Sequence, residues 1–204
     1  IYLNLGHTGL DKPGFAEWTR SAGVRPAYFV HDLIPITHPH FCREGESARH
    51  RRRIRTMLAT AAGIIGNSED TLRILADFAK AEGMPMPPAM AALLGTPHLP
   101  LPPDPTPSPV PVFVALGTIE GRKNHALLLE LWLRMIGEDV SPMPRLILVG
   151  RRGWQCDDVF ALLDSHPELA LHVEERADCS DAQLGALLAG AAALLFPSHV
   201  EGYG

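Results

Sequence analysis

Short apolar segments that alternate with helical segments most restrict the fold of this chain. The segments 26–31, 112–116 and 145–149 are almost wholly apolar, and each runs into glycine or polar residues. Continuous apolar strands separated by helices are typical of parallel sheets whose two faces are covered. We therefore predict an α/β protein with parallel sheets.

The remaining segments extend the same pattern. Further strands are predicted at residues 1–5, 63–67, 169–173 and 192–196, and helices at residues 13–22, 47–62, 69–82, 124–136, 157–165 and 180–189. Ser68 is placed to cap one helix, and Ser180 with Gln183 forms the sequence pattern of a capping box. Gly23 and Gly137 are placed to end two others.

A proline-rich segment divides the chain. Of its 19 prolines, eight lie between Pro97 and Pro111, and proline can neither continue a helix nor donate to a sheet. We predict a first lobe at 1–98, an extended connector at 99–111 and a second lobe at 112–204. The two lobes are expected to hold a ligand in a cleft at the carboxyl ends of their strands. The sequence begins inside a strand and ends inside a motif, so we expect part of a longer polypeptide.

Composition excludes several classes of protein. A net charge of −5 and a pI of about 6.0 give no support for nucleic-acid binding. No apolar run approaches the roughly 20 residues of a membrane-spanning helix. Three widely spaced cysteines form neither a disulfide framework nor a zinc framework, so a cytoplasmic location is expected.

The loop after the strand at 112–116 suits an anionic ligand. Gly117 allows close approach of the backbone, and Arg122 and Lys123 precede a helix N-terminus, which itself favours anions. Two cations beside a helix start fit a diphosphate. The alternative is an ordinary strand-to-helix loop with a solvated basic pair. The spacing is not that of a Walker loop.

The last residues combine a carboxylate with glycines. Glu201 lies between Ser198 and the segment Gly202-Tyr203-Gly204, and the glycines permit tight turns. A carboxylate placed in this way can accept hydrogen bonds from sugar hydroxyls. The alternative is a solvated loop glutamate.

Together these segments resemble the retaining glycosyltransferases of family 4, which have the GT-B fold of two Rossmann-like lobes. The resemblance rests on residues 117–125, 148–150 and 194–204. The last segment is similar to the start of the family's Glu-x7-Glu motif, whose second glutamate would fall at position 209. The pattern Thr-Ile-Glu-x-Arg-Lys-Asn most resembles bacterial mannosyltransferases of polysaccharide assembly.

The resemblance implies roles for individual residues. It implies that Lys123, with Arg122, binds the donor pyrophosphate, and that Glu201 binds the transferred sugar. Further donor contacts are expected from Gly117, Thr118, Ser198, Gly202 and Tyr203. Thr118 stands where many members carry arginine, which leaves the division of roles between Arg122 and Lys123 open.

The implied reaction transfers mannose from GDP-mannose to a saccharide or lipid-linked acceptor, with retention of configuration and without a metal or further cofactor. The alternatives are a UDP-sugar enzyme, either a glucosyl or N-acetylglucosaminyl transferase or an epimerase, and a non-catalytic nucleotide-binding module.

In the first lobe, residues 30–35 resemble the family's histidine-bearing strand end. His31 would then face the sugar near its reacting carbon. Chemically, His31 could bond a hydroxyl or move a proton, with Asp32 orienting its ring, and a capped strand end is the alternative. Asn67 and Ser68 follow the next strand, and we expect Ser68 to be chiefly a helix cap.

Two further groups of side chains and one segment bear on function. The spacing of His38, His40, Cys42 and His50 matches no zinc pattern, so no metal site is predicted. The five arginines between residues 49 and 55 could contact anionic lipid headgroups at the inner face of the membrane or an acidic acceptor, or form a solvated helix face. The segment 174–178 is predicted to be a loop near the nucleotide base, with Glu174 or Asp178 accepting from guanine.

Overall fold

The computed structural model describes residues 1–102 and 108–203, and its chain divides into two compact units. Ile1–Thr96 and the residues from Glu201 onward form the first unit, and Pro97–Val200 forms the second. The last residues thus pack with the first unit, whereas the sequence assigned them to the second lobe. The connector at 99–111 remains a prediction, and its residues 103–107 lie outside the described residues.

The first unit contains a parallel sheet in the order β1-β2-β3-β4. Its elements along the chain are β1 (Tyr2–Asn4), α1 (Phe15–Ser21), β2 (Pro26–Val30), α2 (Ile34–Thr37), a 3-10 turn (Pro39–Phe41), α3 (Glu46–Thr60), β3 (Gly63–Gly66), α4 (Glu69–Ala81) and β4 (Ala89–Ala91).

Helix α4 illustrates why these segments fold as they do. Ser68 accepts a hydrogen bond from the backbone N–H of Thr71, which confirms the predicted cap. The buried residues Thr71, Leu75 and Phe78 recur at helical spacing. The apolar members of this set, Leu75 and Phe78, pack with Tyr28, Val30 and Ile64 of the sheet, where the core of the unit lies.

The opposite face of this sheet is open in the described part of the chain. Ala27, Ile65 and Met90, from three neighbouring strands, line an apolar groove of about 290 Å³. Leu3 and Met90 are more than half exposed. Side chains of a strand alternate between faces, and the helices all pack on the face of Tyr28. The prediction of two covered faces is therefore wrong for this sheet as the described residues build it.

The second unit contains a parallel sheet in the order β7-β6-β5-β8. Its elements are β5 (Val112–Leu116), a 3-10 turn (Gly121–Lys123), α5 (His125–Gly137), β6 (Arg145–Val149), α6 (Asp157–Ser165), a 3-10 turn (Leu169–Leu171), β7 (Val173–Arg176), α7 (Asp181–Gly190) and β8 (Ala193–Leu195).

Both faces of the second sheet carry a core. Leu146 and Leu148 pack with Trp132 of α5 on one face. Val114 and Ile147 pack towards α7 on the other. The predicted capping box of Ser180 and Gln183 begins α7. Here the prediction of two covered faces is confirmed.

One predicted strand differs from the structure, and two short elements of the structure were not predicted. The strand predicted at 169–173 is a 3-10 turn followed by β7, which begins at Val173. Helix α2 was not predicted, and neither was β4, which directly follows Pro87 and Pro88 and pairs with β3. Both missed elements are short, and their stability comes from neighbours in space rather than from sequence pattern.

Candidate functional site

The loop between β5 and α5 brings a glycine and a lysine together. Gly117 has φ of 125°, a conformation that side chains rarely adopt. A Cβ on Gly117 would lie 3.4 Å from Cε of Lys123. The lysine side chain therefore passes over the glycine backbone, with Thr118 next along the chain.

Lys123 places its charge at the start of α5. Its Nζ lies 4.6 Å from the centre of the Phe196 ring, a cation–π contact. His125, the first residue of α5, is 3% exposed. Its burial, and secondly the charge of Lys123, lower its pKa to about 4. A cation at a helix N-terminus provides a favourable position for an anion.

Arg122 has a structural partner that the sequence analysis missed. Its guanidinium lies 2.8 Å from the Glu120 carboxylate, whose side chain is 8% exposed, and it donates to the Val200 carbonyl. Arg122 thus neutralises a buried carboxylate and ties the end of the unit to the loop. Only the adjacency of Glu120 in the sequence hinted at this pairing.

If that pairing is structural, its loss should destabilise the second unit. We expect Arg122→Met to lower the free energy of unfolding by about 3 kcal/mol, because Glu120 is left buried without its cation. Adding Glu120→Gln should recover most of the loss. Urea denaturation followed by tryptophan fluorescence measures both variants.

The control for this prediction is Arg134→Met. Arg134 pairs with Glu138 on an exposed helix face, where such pairs contribute about 0.5 kcal/mol or less. Equal losses for Arg122→Met and Arg134→Met would contradict the structural role of Arg122.

The segment after β8 is fixed against the same loop. The Asn124 side-chain amide donates to the Pro197 carbonyl at 3.2 Å, and the His199 N–H donates to the Arg122 carbonyl at 2.8 Å. Ser198 is the residue between Pro197 and His199, so both of its neighbours in the chain are held by these bonds. Its buried Oγ has no hydrogen-bond partner among the described residues.

The loop after β6 supports the loop after β5. Gly150 lies so close to the Gly117 carbonyl that a side chain there would collide with it. An isolated bridge joins Ile119 and Arg152, and the Cys156 thiol donates to the Ile119 carbonyl. The candidate anion loop is therefore built on a second loop that sequence reasoning did not connect with it.

Glu174 lies in a strand, which corrects the prediction that 174–178 forms a loop. Its carboxylate pairs with Arg176 at 2.6 Å and Arg145 at 2.8 Å. The hydrogen bond from Arg176 is the largest cause of its lowered pKa. Contact of Glu174 or Asp178 with a base stays a prediction.

In the first unit, His31 follows β2 and donates from Nε2 to the Leu5 carbonyl at 2.7 Å, since a carbonyl can only accept. Asp32 does not orient this ring, as the sequence analysis had suggested. Its Oδ1 accepts from the backbone N–H of Ile34 and so begins α2. The short helix accounts for the error, because its start requires an acceptor at this position.

The Gly202 carbonyl is bound beside His31. It lies 3.0 Å from the Ser68 hydroxyl and 3.2 Å from that of Thr71. A Cβ on Gly202 would collide with the His31 carbonyl and the Asp32 side chain. The structure therefore brings Gly202, and with it the adjacent Glu201, to the end of β2. Tyr203 donates to the Leu94 carbonyl at 3.2 Å.

The arginines of α3 are largely engaged in ion pairs. Arg49 and Arg53 pair with Asp11, and Arg51 and Arg55 pair with Glu82. Lipid or acceptor contact by this helix stays a prediction.

Within the described ranges, no group of histidine, cysteine or acidic side chains is placed to hold a metal ion. The same ranges contain no helix long and apolar enough to cross a membrane.

No family model matches the chain. Among curated proteins it is similar to the serotype-specific mannosyltransferase WbdA of Escherichia coli, with 29% identity over 91% of this chain and 24% of that protein. The chain thus spans about a quarter of the length of this relative.

Solved structures resemble the chain over nearly its whole length. HepE of Anabaena, in complex with UDP-glucose, has a TM-score of 0.67 with 18% identity over 97% of this chain and 53% of its own. TarM has a TM-score of 0.65 with 13% identity over 99% of this chain and 37% of its own. An α,α-trehalose-phosphate synthase (UDP-forming) from Burkholderia vietnamiensis has a TM-score of 0.63 with 12% identity over 99% of this chain and 52% of its own. The chain has the α/β fold of these GT-B glycosyltransferases, with two parallel sheets.

Proposed function

We propose that the chain forms part of a retaining glycosyltransferase that transfers mannose from GDP-mannose to a saccharide or lipid-linked acceptor. The observation that carries the proposal is the position of Lys123 over Gly117 at the start of α5. The likeness to WbdA supports mannose as the sugar.

The proposed chemistry depends on charge that develops on the leaving group. When the bond between sugar and phosphate breaks, the departing diphosphate gains negative charge. Lys123 and the N–H groups of the α5 terminus are fixed in place, so they stabilise this charge more than the ground state. These groups supply positive charge without a divalent cation, and the proposal therefore includes none.

His31 and Glu201 are proposed to contact the sugar. With Nε2–H donated to Leu5, a neutral His31 ring has Nδ1 as an acceptor, suited to a hydroxyl proton. Gly202 packs against the His31 carbonyl, and this supports a common ligand for His31 and Glu201. Thr118, Ser198 and Tyr203 remain proposed donor contacts.

Calorimetric titration tests the donor. The protein is titrated with GDP, UDP, ADP, GDP-mannose and UDP-glucose. We expect GDP and GDP-mannose to bind at least tenfold more tightly than the uridine and adenine compounds. Absence of binding by every nucleotide would contradict the central proposal.

A uridine donor is the second candidate, because HepE was solved with UDP-glucose. Preference for UDP in the titration would keep the anion loop and replace the proposed donor. Product analysis then separates a transferase, which forms a glycoside, from an epimerase, which forms an isomerised sugar.

A further inference from the structure

We propose that the buried His7 is a positioning residue that holds the His31 ring with Nδ1 available as an acceptor. The inference rests on the proposed function only in assigning that acceptor to a sugar hydroxyl. The positioning itself is a property of the first unit and can be tested without substrate.

The bond that orients His31 comes from a loop. Its acceptor, the Leu5 carbonyl, lies just after β1 and 2.7 Å from Nε2 of His31. If this carbonyl moved, the ring would lose the partner that fixes its orientation. The position of residues 5–9 therefore decides which ring nitrogen His31 presents.

His7 anchors that loop to the sheet. Its Nε2 donates to the Phe29 carbonyl of β2 at 2.9 Å, and the residue is 8% exposed. Its φ of 58° is uncommon outside glycine, although histidine is enriched there. The Asn4 amide adds a bond to the Thr8 carbonyl at 3.2 Å. The loop is thus tied to both β1 and β2.

His7 also packs on the ring that it positions. The centres of the His7 and His31 rings are 5.6 Å apart, and the centres of the Phe29 and His31 rings are 4.9 Å apart. The ring centre of His50 is 5.4 Å from that of His7, and Nε2 of His50 donates to the Asp32 carbonyl. Burial lowers the pKa of His7 to about 4, so near neutral pH it adds no charge beside His31.

Proton NMR of the ring N–H groups tests the positioning. Hydrogen-bonded imidazole N–H protons exchange slowly enough to observe, and we expect such signals from His7, His31 and His50. His7→Phe keeps an aromatic ring but removes the donor to Phe29. It should abolish its own signal and that of His31, and keep that of His50.

His7→Gln is the conservative variant, because its amide can reach the carbonyl that Nε2 reaches. It should restore the His31 signal. His50→Phe is the matched control, because it makes the same exchange at a neighbouring buried histidine, and it should remove only its own signal. A His31 signal that persists in His7→Phe, or that disappears equally in His50→Phe, would overturn the proposal. Thermal unfolding verifies that each variant is folded. If His7→Phe does not fold, His7→Leu, which also lacks a side-chain donor for the Phe29 carbonyl, takes its place and should likewise lose the His31 signal.

Kinetics supply the second readout. In His7→Phe we expect kcat to fall about tenfold while donor KM changes less than twofold, with recovery in His7→Gln. A rise in KM at constant kcat would contradict positioning. If the wild type transfers no sugar, the proposed function fails, and the N–H signals still decide the role of His7.

Discussion

Lys123→Met is expected to reduce glycosyl transfer by a factor of about 100 to 1,000, the usual loss when a fixed transition-state charge partner is removed. Methionine keeps the apolar stem that passes over Gly117 and contacts Phe196. The loss should therefore reflect the missing charge rather than missing packing. Initial rates at saturating donor, together with calorimetric affinity for the nucleoside diphosphate, measure the effect.

Two variants accompany this measurement. Lys123→Arg retains the charge with a different shape and should lose less activity than Lys123→Met. Lys80→Met removes an exposed lysine near the end of α4 and should leave transfer unchanged. A Lys123→Met enzyme as active as the Lys80→Met control would remove Lys123 from the proposed mechanism.

Acidification is expected to destabilise both units between about pH 6.5 and pH 4. His7 in the first unit and His125 in the second are buried, and the pKa of each is lowered to about 4 from 6.5, with burial as the largest cause. Beside His7, the neighbouring His50, His31 and Arg53 lower its pKa further, and the bond to Phe29 opposes them.

The sign follows from proton binding. Between these pKa values the unfolded chain protonates the histidine and the folded chain does not, so falling pH favours unfolding. The stabilisation is complete above about pH 6.5 and is lost as pH falls towards 4. Over the whole interval the protonation of each histidine lowers the free energy of unfolding by about 3 kcal/mol.

Urea denaturation at several pH values measures this loss. Trp18 reports on the first unit, and Trp132 and Trp154 report on the second. His7→Gln should flatten the pH dependence of the first unit, and His125→Gln that of the second. Unfolding free energies that do not change between pH 6.5 and 4.5 would contradict the assignment of both histidines as buried and neutral.

The elements with strong local patterns were predictable. The strands Val112–Leu116 and Arg145–Val149 have the predicted bounds, because continuous apolar segments next to glycine or polar residues leave few other interpretations. The Ser180 capping box fixed the start of α7 for the same reason. In contrast, β4 is three residues long and depends on its pairing with β3, which no local pattern encodes.

The candidate site was predictable in its residue types and not in its pairings. Lys123 and Gly117 could be connected through the loop and helix start that the sequence predicts. Arg122 pairs with Glu120, and Asp32 accepts from the Ile34 N–H, although other charged groups and other donors lie near each of them in the sequence. Such pairings depend on backbone direction and burial, which the spacing of residues does not specify.

The sequence by itself determined the α/β class, the parallel sheets and the places where glycine and lysine precede a helix, because hydrophobic periodicity and caps act over a few residues. Only the tertiary structure decided that Gly202 packs against His31 and that His7 joins its loop to β2. It also decided that one face of the first sheet is open among the described residues. These features join residues distant in the chain, and their energy comes from burial and hydrogen bonds that exist only once the strands have paired.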